Sequence, residues 1–261
     1  MHEHGTYRSQ ILVSTSISDV DDMLGGGFEP GLFNLVYGEA HASVTSLLLS
    51  ASVTSQLPSF NNGAGSKVVF IDVWNSFNPY TVSCKAASLG LNPETVLEGI
   101  LVSRAFTSGQ VEQLILKKVE EEIERIGARV LIVSGLPALH LADDPKGPKQ
   151  ETLSKLVEIY GQLHRLSFQR NIVVVASTGL AENSEYRPAG GRALSHYANV
   201  HLMVRERPRV TEYILVKHPA ISERKALVWK GRRAHFMPTL DAYFLNYHDK
   251  SSKSNTILAG T

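Results

Sequence analysis

Short apolar runs recur along the middle of the chain: Leu32–Tyr37, Val68–Ile71, Ile100–Ser103, Val130–Val133 and Ile172–Ala176. They are apolar without alternation, the pattern expected of strands covered on both faces. The segments between them carry a different period. Val111, Leu114, Ile115, Val119, Ile123 and Ile126 recur at three- and four-residue spacing, as do Leu153, Leu156, Val157, Tyr160 and Leu163, which predicts amphipathic helices. Strand–helix alternation predicts an α/β domain with a mostly parallel central sheet flanked by helices. After residue 198 the texture changes. Val200–Val204, Thr211–Val216, Ala226–Trp229 and Ala234–Phe236 read as short strands joined by turns, an antiparallel C-terminal extension of the sheet. Gly, Pro and Asn mark loops at Asn61–Ser66, Ala142–Gln150 and Ala181–Arg192. The expected organisation is an arm at 1–13, a core domain at 14–247 and a flexible polar tail at 248–261.

Composition narrows the function classes. The 261 residues are 43% hydrophobic, enough for one well-buried domain, and the net charge of +1 gives no strong field toward nucleic acid or membrane. The single cysteine, Cys84, excludes an internal disulfide and fits a reducing, cytoplasmic setting. No apolar run approaches the roughly 20 residues of a membrane span, and the N-terminus MHEHGTYRSQ has no apolar signal region. The ten histidines are scattered; His2 and His4 lie close but have no second pair to complete a metal cage. Neither a metal nor a cofactor is expected.

The most informative segment is Gly38-Glu39-Ala40-His41-Ala42-Ser43-Val44-Thr45, between the apolar strand Leu32–Tyr37 and the apolar helix Val44–Val53. That setting calls for the phosphate-binding loop G-x-x-x-x-G-K-[S/T], whose backbone N–H groups and lysine hold phosphate. Gly38 and Thr45 match; the second glycine is Ser43 and the lysine is Val44.

Further motifs follow in order. Ser14-Thr15-Ser16-Ile17-Ser18-Asp19-Val20-Asp21-Asp22-Met23-Leu24-Gly25-Gly26-Gly27 resembles the entry motif S-T-G-I-x-x-L-D-x-L-L-G-G-G. Gly31-Leu32-Phe33 leads into Tyr37-Gly38-Glu39, Phe70-Ile71-Asp72 looks like a second core strand, and Arg104-Ala105-Phe106 through Gln110 is similar to R-A-[FY]-N-x-x-x-Q. Gly190-Gly191 with Leu194, Tyr197 and Val200 resembles the glycine pair and strand after a second DNA-facing loop. From about Ser14 to about Phe236 the chain resembles the core of the RecA/RadA recombinases of the archaeal RadA and RadB type. The resemblance implies a RecA-like P-loop fold, ATP chemistry, DNA contact and recombination. By the same resemblance, His41 and Ser43 stand at loop glycines and Val44 at the phosphate lysine. Trp74 stands at the water-activating glutamate, Ser134 at the Walker B aspartate and Thr178 near the nucleotide-sensing glutamine. Thr45 alone keeps its family identity, as the magnesium-binding hydroxyl. Phosphoryl transfer depends on positioned charge. These replacements therefore predict a degenerate, inactive paralogue, no enzyme, with Trp74 lying over a filled pocket. A different loop chemistry, with His41 or Lys67 supplying charge, is the competing reading.

Two other family surfaces remain. The DNA-facing loops correspond to about 139–150 and 180–195. They carry Lys146, Lys149, Arg187 and Arg192 against Asp143, Asp144, Glu182 and Glu185, a weak phosphate footprint, with Tyr186 offered as a stacking platform. The acceptor side of the family's polymerisation contact corresponds to Val69, Phe70, Phe77, Pro79, Val82, Ala86 and Leu89, all apolar here. These predict a groove for a short apolar peptide, with Ile257-Leu258-Ala259 of the tail as one candidate occupant. The expected function is a protein-binding or regulatory partner of a RadA-type recombinase in DNA recombination and repair, without filaments or membrane contact. The alternatives are a weak nucleotide-binding switch and a single-stranded DNA binder.

Overall fold

A computed structural model describes residues 12–39, 41–58, 63–143, 147 and 149–230. The chain divides into two units, Met1–Trp229 and Lys230–Thr261; the fold below is that of the first. Helix α1 (Ser18–Leu24) precedes strand β1 (Phe33–Gly38) and helix α2 (His41–Thr54). Strand β2 (Val68–Asp72) is followed by α3 (Pro79–Ser88), α4 (Pro93–Glu98) and β3 (Ile100–Arg104). Then come α5 (Ser108–Gln113), a π-helical turn (Leu114–Lys118), α6 (Val119–Ile126) and β4 (Val130–Ser134). Helices α7 (Ala138–Ala142) and α8 (Gln150–Arg170) lead to β5 (Val173–Thr178), α9 (Gly191–Tyr197), β6 (Val200–Glu206), β7 (Val210–Lys217) and β8 (Arg224–Trp229).

The strands form one 8-stranded sheet in the order β3-β2-β4-β5-β1-β6-β7-β8. Pairings from β3 across to β6 are parallel, and β6–β7 and β7–β8 are antiparallel. The α/β class, the parallel core and the antiparallel extension are as the pattern predicts. Alternate residues of each parallel strand feed two cores. Val36, Phe70, Ile132, Val175 and Leu202 pack with α1, α2, α3 and α4. Leu35, Val69, Ile71, Val133, Val174 and Met203 pack with α5, α6, α8 and α9. Strands covered on both faces need no polar side, which is why the runs read as unbroken apolar stretches.

The strands extend a residue or two beyond the apolar runs, and β5 begins at Val173, not Ile172. Helix α2 starts at His41, three residues before the expected Val44. The predicted strand Ala234–Phe236 lies outside the described residues. Gly38 is fixed by a close approach: a Cβ there would lie 1.9 Å from the Val204 carbonyl oxygen on β6. The parallel pairing of β1 with β6, the strand that pairs antiparallel with β7 on its other side, therefore requires glycine.

Candidate functional site

In open parallel sheets, ligands bind outside the carboxyl ends of the strands. Gly38 ends β1, Thr178 ends β5 and Ser134 ends β4, so the sequence-predicted nucleotide residues gather at that rim. His41 opens α2 and stacks on Trp74, with ring centroids 4.3 Å apart. A Cβ on Gly135 would fall 2.4 Å from the Trp74 ring, and one on Gly179 would fall 3.6 Å from His41 Nε2. Trp74 is thus sandwiched between the backbone after β4 and the imidazole at the start of α2. Val44, at the family's lysine position, is fully buried in the core under α2. Ser43 donates to Glu206 at the end of β6, and Thr211 also donates to that carboxylate. Thr45 is half-buried on α2. Thr178 is buried and donates to the Ala189 carbonyl at 3.3 Å, tying β5 to the loop before α9.

Sequence reasoning gave no role to Asp72, and the structure does. Its carboxylate is fully buried and accepts from the Ser134 hydroxyl at 2.7 Å, the Phe77 N–H at 2.8 Å and the Ser76 N–H at 3.0 Å. Arg104 Nε lies 3.8 Å away and Arg104 Nη2 donates to the Phe77 carbonyl at 3.3 Å. The converging donors satisfy the acceptor capacity of this buried side chain. The available signal was an aspartate closing the apolar run Val68-Val69-Phe70-Ile71. One strand away from the Walker B position, this carboxylate anchors the turn that presents Phe77. Asn78 then caps α3 through the Tyr80 and Thr81 N–H groups, with Pro79 in the first turn.

Val44, Trp74 and Ser134, at the positions matched by resemblance to the family's lysine and two carboxylates, carry no charge.

The residues expected to line a peptide groove do not share one surface. Phe70, Val82 and Ala86 are buried in one core, and Val69 faces the opposite helical layer. Side chains on opposite faces of a strand cannot line one trough. Phe77 packs edge-on against Phe70 at 5.2 Å. Pro79 and Leu89 remain on the surface at opposite ends of α3, and Tyr80, next to Pro79, is 64% exposed. What is open here is the rim: Phe77, Pro79 and Tyr80 next to the end of β3, where Phe106 is also 64% exposed.

Of the DNA-loop residues, Lys146 lies outside the described residues. Lys149 occupies the N-cap position of α8, and Arg187 and Arg192 are exposed. The 180–190 stretch is held in place. Leu180 bridges to Pro188, the Ala181 N–H donates to the Arg187 carbonyl, and Tyr37 Oη donates to the Tyr186 carbonyl at 3.2 Å. Burial pushes the Tyr37 phenol up to about 12, so it stays a donor. Tyr186 already carries a cation, the Arg205 guanidinium 4.7 Å from its ring centre. A base would have to displace or share that contact.

A further cavity of about 140 Å³ was not visible in the sequence. Ser108, Glu112, His140, Asp143, Glu151 and Lys155 line it, between α5, α7 and α8. His140 is buried, and neither ring nitrogen has a hydrogen-bond partner; Glu112 Oε1 lies 3.6 Å from Nε2. Desolvation pulls its pKa below the usual histidine value, against the pull of Glu112 and Asp143. Among the described residues, no group of three or more His, Cys, Asp or Glu is set to hold a metal.

With this geometry in place, comparison with known proteins decides the family: a Rad51 family model matches residues 7–230. The chain belongs to the Rad51 family. It is 29% identical over 211 residues to the meiotic recombination protein DMC1 homolog of Arabidopsis thaliana, covering 76% of this chain and 60% of that protein. It is 30% identical over 211 residues to the Glycine max DMC1 homolog, with the same coverage. To the mouse DMC1/LIM15 homolog it is 27% identical over 205 residues, covering 74% of this chain and 60% of the relative. The chain therefore spans about three-fifths of the length of these relatives. Membership overturns one expectation. The replaced motif residues suggested that this chain is no enzyme, but the family it belongs to and its DMC1 relatives are recombinases, which are DNA-dependent ATPases.

Proposed function

We propose that this Rad51-family chain works in DNA recombination by binding another protein, a recombinase of the same family, along the open edge of β3. The supporting observation is the edge itself. Strand β3 ends the sheet, its pairing among the described residues is with β2, and Leu101 and Val102 are half-exposed on it. An extended peptide adds to such an edge through its backbone and seats alternate side chains in flanking pockets. Here the flanking surface is Phe77, Pro79 and Tyr80 on one side of Arg104 and Phe106 on the other. Tyr80 and Phe106 are exposed, so charging them leaves the core intact. Tyr80→Glu with Phe106→Glu is expected to lower recombinase capture by about tenfold or more, measured by titration calorimetry. Unchanged affinity in that double variant retires the reading.

A second reading concerns the strand-end crevice. The His41 ring lies on Trp74 at the start of α2, Thr45 is half-buried one turn further along that helix, and a helix N-terminus favours anions. A nucleotide there would be held through His41 and Thr45, not through a lysine. Trp74 reports on it directly. In a Trp229→Phe background, its emission is expected to change on titration with Mg-ATP, and His41→Ala is expected to abolish the change.

A further inference from the structure

The sheet has a second open end, and its chemistry differs from that of β3. Strand β8 follows the burial pattern exposed–exposed–half–exposed–half–exposed from Arg224 to Trp229. Ala226 and Val228 face the core that holds α1, while Lys225, Leu227 and Trp229 alternate with them on the outer face. Leu227 is 49% exposed and Trp229 is 69% exposed. Among the described residues, β8 pairs with β7 alone. An exposed apolar edge strand is a template for another strand, and natural proteins blunt such edges or use them. Lys225 and Arg224 blunt the first half of β8, while Leu227, Val228 and Trp229 in its second half are apolar.

We propose that β8 is a homodimer interface, in which two copies of this chain pair β8 to β8, antiparallel, about a two-fold axis through Leu227. The occupant follows from the order of side chains. A two-fold axis perpendicular to the sheet keeps each face on its own side, so opposed residues must share a face and one residue must meet itself. With Leu227 on the axis, Lys225 of each copy stands opposite Trp229 of the other, and Ala226 stands opposite Val228. The two ammonium groups then lie against indole faces, and Leu227 meets Leu227 between them. Cations over indole rings attract even when partly hydrated, and cross-strand apolar pairs add to the ladder. Registers centred elsewhere lose this match. With Ala226 on the axis, Lys225 faces Leu227 and Glu223 faces Trp229. With Lys225 on the axis, two like charges meet. Of the registers centred on Lys225, Ala226 or Leu227, the one on Leu227 alone sets complementary side chains opposite each other. Because the contact is isologous it closes at two copies, and it leaves the β3 edge free. A contact based on one short strand lies at the small end of specific interfaces, so the dimer is a weak one.

Sedimentation equilibrium on the full chain, from about 1 to 300 μM, tests the proposal over the range expected for so small a contact. A reversible monomer–dimer equilibrium is expected. Leu227→Lys sets two ammonium groups face to face and is expected to weaken the dimer by about a hundredfold. Lys225→Glu alone is expected to weaken it by about five- to thirty-fold, the loss of two cation–π contacts. The swap Lys225→Trp with Trp229→Lys recreates the same two opposed pairs and is expected to restore association. All three positions are exposed, and circular dichroism of each variant confirms that the fold is kept. A chain that stays monomeric throughout the range, including one whose edge is covered by residues 231–261, overturns the proposal. So does a dimer indifferent to Leu227→Lys, or a swap variant no more associated than Lys225→Glu.

Discussion

The parallel strands β2, β4, β5 and β1 and the antiparallel pair β7–β8 belong to one sheet but follow different rules. Every residue of β1, β2, β4 and β5 is buried, with helices over both faces. In β7 the buried positions alternate, Thr211, Tyr213 and Leu215, and β8 has no fully buried residue. The doubly covered part holds most of the buried core and ends in the rim where Gly38, Ser134 and Thr178 lie. The singly covered part contributes less to the core and keeps a face for other molecules. Two-sided cover leaves a sheet only its rim for chemistry, whereas one-sided cover leaves a whole face and an edge.

The sharpest break in that contrast lies at the seam. Gly38→Ala would drive a methyl group into the Val204 carbonyl and force β1 and β6 apart. Urea denaturation is expected to show a loss of about 4 kcal/mol or more, or no cooperative fold. A second seam residue, His201, pairs in register with Leu35 of β1. Burial first, and then the Lys217 charge, hold its pKa down at about 4. The unfolded chain takes up that proton at about 6.5. This contribution to stability is therefore complete above pH 6.5, falls as the pH drops toward 4, and amounts to on the order of 2–3 kcal/mol. His201→Leu is expected to flatten that part of the pH profile in thermal melts.

Truncation inside the two regions should separate them further. Val175→Ala, under helices on both sides, is expected to cost about 2 kcal/mol, while Leu227→Ala on β8 stays within about 0.5 kcal/mol. Similar losses at both sites would erase the distinction drawn here. The smallest effect is at the surface of the helical layer. Glu120 accepts from Arg165 and from Arg170, and these contacts hold its carboxyl down at about 2. Its contribution is present above the unfolded value near 4.5 and is lost as the pH falls toward 2. Solvent screening keeps it at about 1 kcal/mol or less, and Glu120→Gln is expected to remove it from acid titrations.

Legibility in the sequence followed the range of the interaction. The parallel strands were readable because both faces of each are apolar, a property of five or six consecutive residues. The family was readable because its motifs are short and ordered, and the Rad51 match over residues 7–230 agrees. The enzyme class was misjudged, because lost motif residues were read as a lost activity while the family as a whole argues otherwise. The placement of the expected groove residues was only partly legible. Apolar identity at Val69 and Phe70 could not say that one residue faces each core. The Asp72–Ser134 hydrogen bond spans 62 residues, and the hold of Tyr37 on Tyr186 spans 149.

The order of residues alone determined the α/β class, the strand and helix positions and the family, because periodicity and motif spacing are local and survive any packing. Only the folded chain decided that Val44 lies in the core and that Trp74 rests on His41. It also decided that an orphaned His140 lines a cavity and that the sheet ends in two chemically distinct edges. Those facts depend on which distant segments share a boundary, and burial and pairing at a boundary are properties of both sides at once.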